Sequence, residues 1–91
     1  MADDKQKEQG PSKLAVIITS AKEVLYEGEA DFLVVPGKEG VLGIGPDHTK
    51  MISLLRKGDI IIKNGSKEKR IDVSEGMIQV NRSGVDILIS A

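Results

Sequence analysis

Cysteine and tryptophan are both absent from the 91-residue chain, and Tyr26 and Phe32 are its only aromatic residues. Without cysteine there can be no disulfide, no thiolate metal site and no cysteine nucleophile. With so few rings, branched aliphatic side chains must build the core. His48 is the sole histidine, so no second imidazole or thiolate exists to complete a metal site around it. Charge of one sign is lacking too: 13 Lys and Arg against 14 Asp and Glu give a formal net charge of -1. Such a balance offers no global electrostatic reason to bind nucleic acid or an acidic membrane. The longest apolar runs, "LAVII" from Leu14 and "DIII" from Asp59, fall far short of the ~20 residues a membrane-spanning helix needs. The opening "MADDKQKEQGPSK" has no signal-peptide core and is too acidic and Arg-poor for a transit peptide. These absences point to a soluble, cytoplasmic protein.

What is present suits one globular domain: 40% hydrophobic and 30% charged residues are too apolar a mixture for a disordered chain. Residues 1–12 are polar, charge-mixed and closed by Gly10-Pro11, which predicts a disordered tail ahead of a domain over residues 13–91. From Lys13 the pattern alternates. Leu14, Val16 and Ile18 fall on one side of an extended chain, and Val85, Ile87 and Ile89 repeat the pattern near the end. "EVLYEGEADFLVVPG" reads as two strands around Glu27-Gly28. Asn64-Gly65 and the Asn81–Gly84 segment are hairpin signals, and residues 48–58 suit a strand or a short turn. The expected fold is all-β: an antiparallel β-sandwich of about ten short strands.

The densest punctuation is "GKEGVLGIGPDH", residues 37–48, with Gly37, Gly40, Gly43, Gly45, Pro46 and His48. Such a segment can cradle a phosphate, hold a metal or present a shaped loop. The dinucleotide and P-loop spacings are both missing. Asp47 and His48 are sequence neighbours, which point to opposite sides of an extended chain. Ser20, Ser53 and Ser74 could approach His48 in space, but no nucleophile-elbow motif supports a hydrolase. "KNGSKEKR" (63–70) is interrupted by Glu68 and has no interleaved aromatics, which favours a solvated hairpin tip over a nucleic-acid site. Glu23, Glu27, Glu29 and Asp31 read as gatekeepers on an edge strand. No active site emerges. An ordered Gly-rich loop with apolar points at Val41, Leu42 and Ile44 suits a docking module.

The residues also carry a resemblance. Tyr26-x-Gly28-x-Ala30 is followed by Val35-Pro36-Gly37-x-Glu39-Gly40-x-Leu42-Gly43-Ile44-x-Pro46-x-His48, then Leu54, Leu55 and Gly58. Ser74, Gly76, Val80, Val85 and Leu88 continue the match. Over residues 14–90 the chain resembles the epsilon subunit of F-type ATP synthases, called delta in mitochondria. It departs from the family pattern at Val41, where an acidic or polar residue is usual, and at Gly45, Glu75 and Met77.

That resemblance implies a non-catalytic subunit at the foot of the rotating central stalk, with no cofactor, metal or nucleic acid. Its implied partners are the gamma subunit and the c-ring. It would lie peripherally on the cytoplasmic face of a bacterial cell membrane, associate with the membrane only through the complex, and be monomeric when isolated. By the motif match, Glu39, Gly40, Val41 and Leu42 are candidates to face the c-ring, and Ser20, His48 and Ser53 to face gamma. With Val41 in place of an acid, the ring contact is expected to be apolar. The partner face is expected to be an apolar patch spanning both sheet edges and the glycine loop. Family members usually continue as a helical hairpin that restrains ATP hydrolysis and in some cases binds ATP. The sequence ending at Ala91 carries the expectation that neither property belongs to it. The alternative reading is a stand-alone β-sandwich binding module of unrelated role.

Overall fold

The computed structural model describes residues 13–90, so the expected tail over residues 1–12 lies outside them, as does Ala91. Nine strands account for the described chain: β1 (Leu14–Thr19), β2 (Val24–Ala30), β3 (Phe32–Gly37), β4 (Gly40–Ile44), β5 (Met51–Leu55), β6 (Gly58–Asn64), β7 (Lys67–Val73), β8 (Glu75–Asn81) and β9 (Gly84–Ser90). The all-β expectation holds, with nine strands among the described residues against the ten anticipated. Residues 51–55, the ambiguous stretch, form a strand.

The strands form one curled sheet in the order β2-β1-β9-β8-β5-β3-β6-β7, with β4 on the other side of β3. The sheet doubles over between β5 and β3, where Gly37 and Leu55 are the only register pair. Two backbone bonds flank that pair: Lys38 N to Leu54 O (2.8 Å) and Arg56 N to Pro36 O (2.9 Å). One layer is therefore β2-β1-β9-β8-β5, and the other is β4-β3-β6-β7. Every pairing is antiparallel except β1 with β9, which runs parallel from Val16↔Val85 to Thr19↔Leu88. A parallel pair needs a long crossover, and here the rest of the domain supplies it.

Period-two alternation decides what is buried. Val16 and Ile18 of β1, Ile78 and Val80 of β8, and Val85, Ile87 and Ile89 of β9 meet Leu33, Val35, Ile44, Ile60, Ile62 and Val73 of the other layer. All these side chains are aliphatic, and each fully buried Ile or Leu stabilises the fold by about 1.5–3 kcal/mol. No polar or charged residue is buried among the described residues, so the core carries no desolvation penalty.

Two boundaries differ from expectation. The break predicted at Glu27-Gly28 falls at Asp31, and β2 runs straight through Gly28. The reason is local. The Tyr26 ring lies across Gly28, where an added Cβ would stand 3.5 Å from its hydroxyl oxygen, and that hydroxyl donates to Glu29 O at 2.8 Å. Gly28 lies beneath a ring at ordinary contact distance and has no positive φ; it does not turn the chain. In the β6–β7 hairpin, Asn64 pairs with Lys67 as a strand residue, and Gly65 (φ 67°) is the first of two loop residues, as a type II′ turn requires.

Asp31 is the corner post of the end where that hairpin meets β1. Its carboxylate accepts from the Gly65 N–H at 2.5 Å and pairs with Lys13 Nζ at 3.1 Å. Lys13 also donates to Asn64 Oδ1 at 2.6 Å, and Asn64 Nδ2 donates to Glu29 O at 3.0 Å. The Gly65 N–H, and secondarily Lys13, hold the Asp31 pKa below its ordinary value of 3.8. Asp31 thus ties the two layers together and is not an edge gatekeeper. Glu27 and Glu29 do lie on the edge strand β2.

Candidate docking surface

The glycine-rich stretch is a β-hairpin. β3 and β4 pair from Leu33↔Ile44 to Gly37↔Gly40, leaving Lys38 and Glu39 as the turn. Of the four glycines in residues 37–48, only Gly40 has a positive φ, 145°. Gly37 and Gly43 serve close approach instead: a Cβ on Gly37 would stand 2.5 Å from Gly40 O, and one on Gly43 would stand 2.9 Å from the Phe32 ring. Phe32 therefore covers the hairpin's outer face.

Alternation splits the four residues expected to face the c-ring. Glu39 is exposed, Gly40 is half-buried at the turn, and Val41 is 70% exposed. Leu42 turns inward and packs against the core, and Ile44 is fully buried. Val41 is the one outward apolar side chain of β4.

The three residues expected to face gamma are not brought together. Ser20 sits in the β1–β2 turn, where its Oγ accepts from Lys22 N (3.2 Å) and Glu23 N (3.3 Å). His48 lies at the other end of the domain, in the loop after β4, beside the β8–β9 turn. Its Nδ1 lies 3.0 Å from Thr49 O. Ser53 alternates with its neighbours on β5 and is half-buried, with its hydroxyl on Leu54 O at 3.3 Å. Among the described residues no group of three or more His, Asp or Glu is placed to hold a metal. On the 63–70 hairpin, Arg70 pairs with Glu68 at 3.1 Å and Asp59 at 3.6 Å, which answers part of that segment's positive charge locally.

The most distinctive surface was not anticipated. On the outside of the five-stranded layer, Ile52 is 67%, Leu54 52%, Met77 42% and Leu88 52% exposed. Strand register aligns three of them. Leu54 stands opposite Met77, Met77 opposite Leu88, Leu88 opposite Thr19, and Thr19 opposite exposed Val24 past a small bulge. This uncharged row crosses all five strands, about 19 Å at ~4.8 Å per interstrand step. The next row, Ile52, Gln79, Asp86, Ile17 and Glu27, is polar in the middle and acidic at its β2 end. A groove lined by Leu54, Met77 and Leu88 also touches Ala21 and Lys38, so the apolar row adjoins the turn of the β3–β4 hairpin. The patch was expected to span both sheet edges and the glycine loop, and the row does adjoin that loop's turn at Lys38. It lies on a sheet face because β5, β8 and β9 carry aliphatic residues on both sides.

Fold and surface together define a class: a small aliphatic β-sandwich with an uncharged outer face beside a rigid hairpin. A family model described as the beta-sandwich domain of the ATP synthase delta/epsilon chain matches residues 13–91. The chain belongs to that family. The ATP synthase epsilon chain of Leptospira borgpetersenii is 45% identical over 76 residues, covering 84% of this chain and 60% of the relative. That of Bordetella avium is 41% identical over 76 residues, covering 82% and 54%. The chain thus spans little more than half the length of these curated relatives. In solved structures, the fold matches a chain of the Euglena gracilis mitochondrial ATP synthase OSCP/F1/c-ring assembly with a TM-score of 0.82 at 21% identity, covering 89% of this chain and 52% of that one. A chain of the Tetrahymena thermophila mitochondrial ATP synthase central stalk and c-ring matches with a TM-score of 0.72 at 18% identity, covering 91% and 67%.

Proposed function

We propose that this domain is a non-catalytic rotor element of a proton-translocating F-type ATP synthase, docking the gamma subunit onto the c-ring so that proton flow is coupled to ATP synthesis. The observation that carries the reading is the uncharged row Leu54–Met77–Leu88–Thr19–Val24. An exposed apolar row of this width is costly in water and is the usual core of a protein interface. On this reading gamma covers the row, and the β3–β4 turn beside it, with Glu39, Gly40 and Val41, rests on the c-ring. The membrane is reached only through that assembly, at its cytoplasmic face.

Family membership and the central-stalk assemblies that contain the matched folds support the choice of partners. The mechanics follow from the fold. An element that transmits torque must not deform, and a core of interlocked Ile, Leu and Val between two sheet layers meets that need. The experiment is a binding titration of the domain against purified gamma. Association at micromolar concentration is expected; no complex at that concentration contradicts the reading.

A further inference from the structure

Among the described residues, β2, β7 and β4 each pair with one strand only and leave an edge free. Two are protected by charge: β2 carries Glu27 and Glu29, and β7 carries Lys67, Glu68, Lys69, Arg70 and Asp72. β4 reads Gly40-Val41-Leu42-Gly43-Ile44, with no charged residue and no proline. An unguarded edge is a template for another strand unless something covers it, and among the described residues β4 pairs only with β3.

The backbone direction of that edge can be worked out. Pro36 O and Lys38 N both bond to β5. Gly37 between them therefore turns its N–H and C=O the other way, towards β4. Across the register, Gly40, Leu42 and Ile44 face β3, so Val41 and Gly43 direct theirs outward. Both residues are exposed. Two outward donors and two outward acceptors, two residues apart, are the pattern an added strand needs.

We propose that the outer edge of β4 is a strand-addition site that takes an extended, uncharged main-chain segment from the c-ring's exposed loops. The identity of the partner rests on the function proposed above; the mode of contact rests on the edge itself. A second copy of this chain is a poor occupant, because a five-residue edge offers far less than the ~800 Å² per partner of a stable dimer. A small contact suffices for a partner already held nearby, since tethering raises its effective concentration to the millimolar range. The groove shared by Lys38, Leu54 and Leu88 sets the apolar row and the hairpin side by side. Recognition through main-chain groups also accounts for a hairpin that offers Val41 and a bare Gly43 where side-chain recognition would need more.

The test is residue-resolved amide hydrogen exchange on the isolated domain and on the same domain bound to the detergent-solubilised gamma–c-ring rotor. In isolation Leu42 and Ile44 should exchange slowly and Val41 and Gly43 fast. In the rotor, Val41 and Gly43 should slow at least about tenfold. Unchanged exchange at both positions in a rotor that retains the domain overturns strand addition and leaves the docking function standing. Failure to bind the rotor at all overturns both. Concentration-dependent protection of the two amides in the isolated domain assigns the edge to a second copy, which also overturns the proposal. Val41→Thr, which keeps a β-branched side chain, should bind the rotor within about twofold of wild type. Val41→Pro removes one outward N–H without touching the bonds to β3 and should weaken binding about tenfold. Wild-type affinity in a folded Val41→Pro contradicts the proposal, and if that variant melts early the exchange experiment decides.

Discussion

Truncating the apolar row should weaken docking without weakening the fold, and the size of the effect follows from exposure. Burying a whole Leu side chain is worth about 1.5–3 kcal/mol. Leu54 and Leu88 are each 52% exposed, so about half of that value remains to be gained when a partner covers them. Leu54→Ala or Leu88→Ala should therefore cost about 0.8–1.5 kcal/mol of binding, about 4- to 12-fold in Kd. Met77 separates the two residues in the register, two interstrand steps or ~10 Å, so the simple sum is the reference and their shared neighbour Met77 the source of any departure from it. The double variant should lose about 1.6–3 kcal/mol, about 15- to 150-fold. Isothermal titration against gamma gives the Kd, and a urea melt of each free variant gives the stability. The reasoning fails if both variants bind as wild type, or if binding falls only in step with a loss of fold.

Other outcomes follow from particular contacts. Because the folded Asp31 pKa is lowered, its contribution to stability is full above about pH 4 and is lost as the pH falls through the folded value. Thermal melts from pH 7 to pH 2.5 should drop more steeply for wild type than for Asp31→Asn; parallel curves contradict the corner-post role. Gly65→Ala puts a Cβ at φ 67° and should lower stability by about 1–2 kcal/mol, read as a shift in urea midpoint. Val41→Asp should stay within about 0.5 kcal/mol of wild type, since Val41 faces solvent. Leu42→Asp puts a carboxylate against the core and should cost about 2 kcal/mol or more. Circular-dichroism melts of the pair separate the outward residue from the inward one.

Much of the fold was legible because it is local. The alternation of Leu14, Val16 and Ile18, or of Val85, Ile87 and Ile89, reports directly which side of a strand is buried. Gly65 marks its hairpin because the turn demands a residue that accepts positive φ. Asn81 marks another, its Oδ1 accepting from Ser83 N (3.0 Å) and Gly84 N (3.2 Å). Gly28 misled because a glycine inside a strand, here beneath the Tyr26 ring, and a glycine at a turn are the same residue in the sequence.

The candidate surface was less legible because it depends on pairings far apart in the chain. Leu54, Met77 and Leu88 become neighbours only through the β5–β8 and β8–β9 registers, and Thr19 joins them through the parallel β1–β9 pair. A signal was present nonetheless. Leu88 stands between Ile87 and Ile89, and Leu54 beside Leu55, out of phase with the buried set. Aliphatics on both phases of an antiparallel strand indicate that its second face is also covered. The residues matched by motif, Ser20, His48 and Ser53, serve a turn, a loop and a half-buried strand position. A motif records which positions matter to a fold without recording which way they face.

The most direct test of the docking account is the rate at which dilute peroxide oxidises Met77, measured by mass spectrometry in the isolated domain and in the assembled rotor. Met77 is 42% exposed and stands between Leu54 and Leu88 in the apolar row. The account predicts sulfoxide formation slowed at least about tenfold in the rotor, as removal from solvent requires. Equal rates in the two states would mean that the row stays in water and that the domain is held some other way.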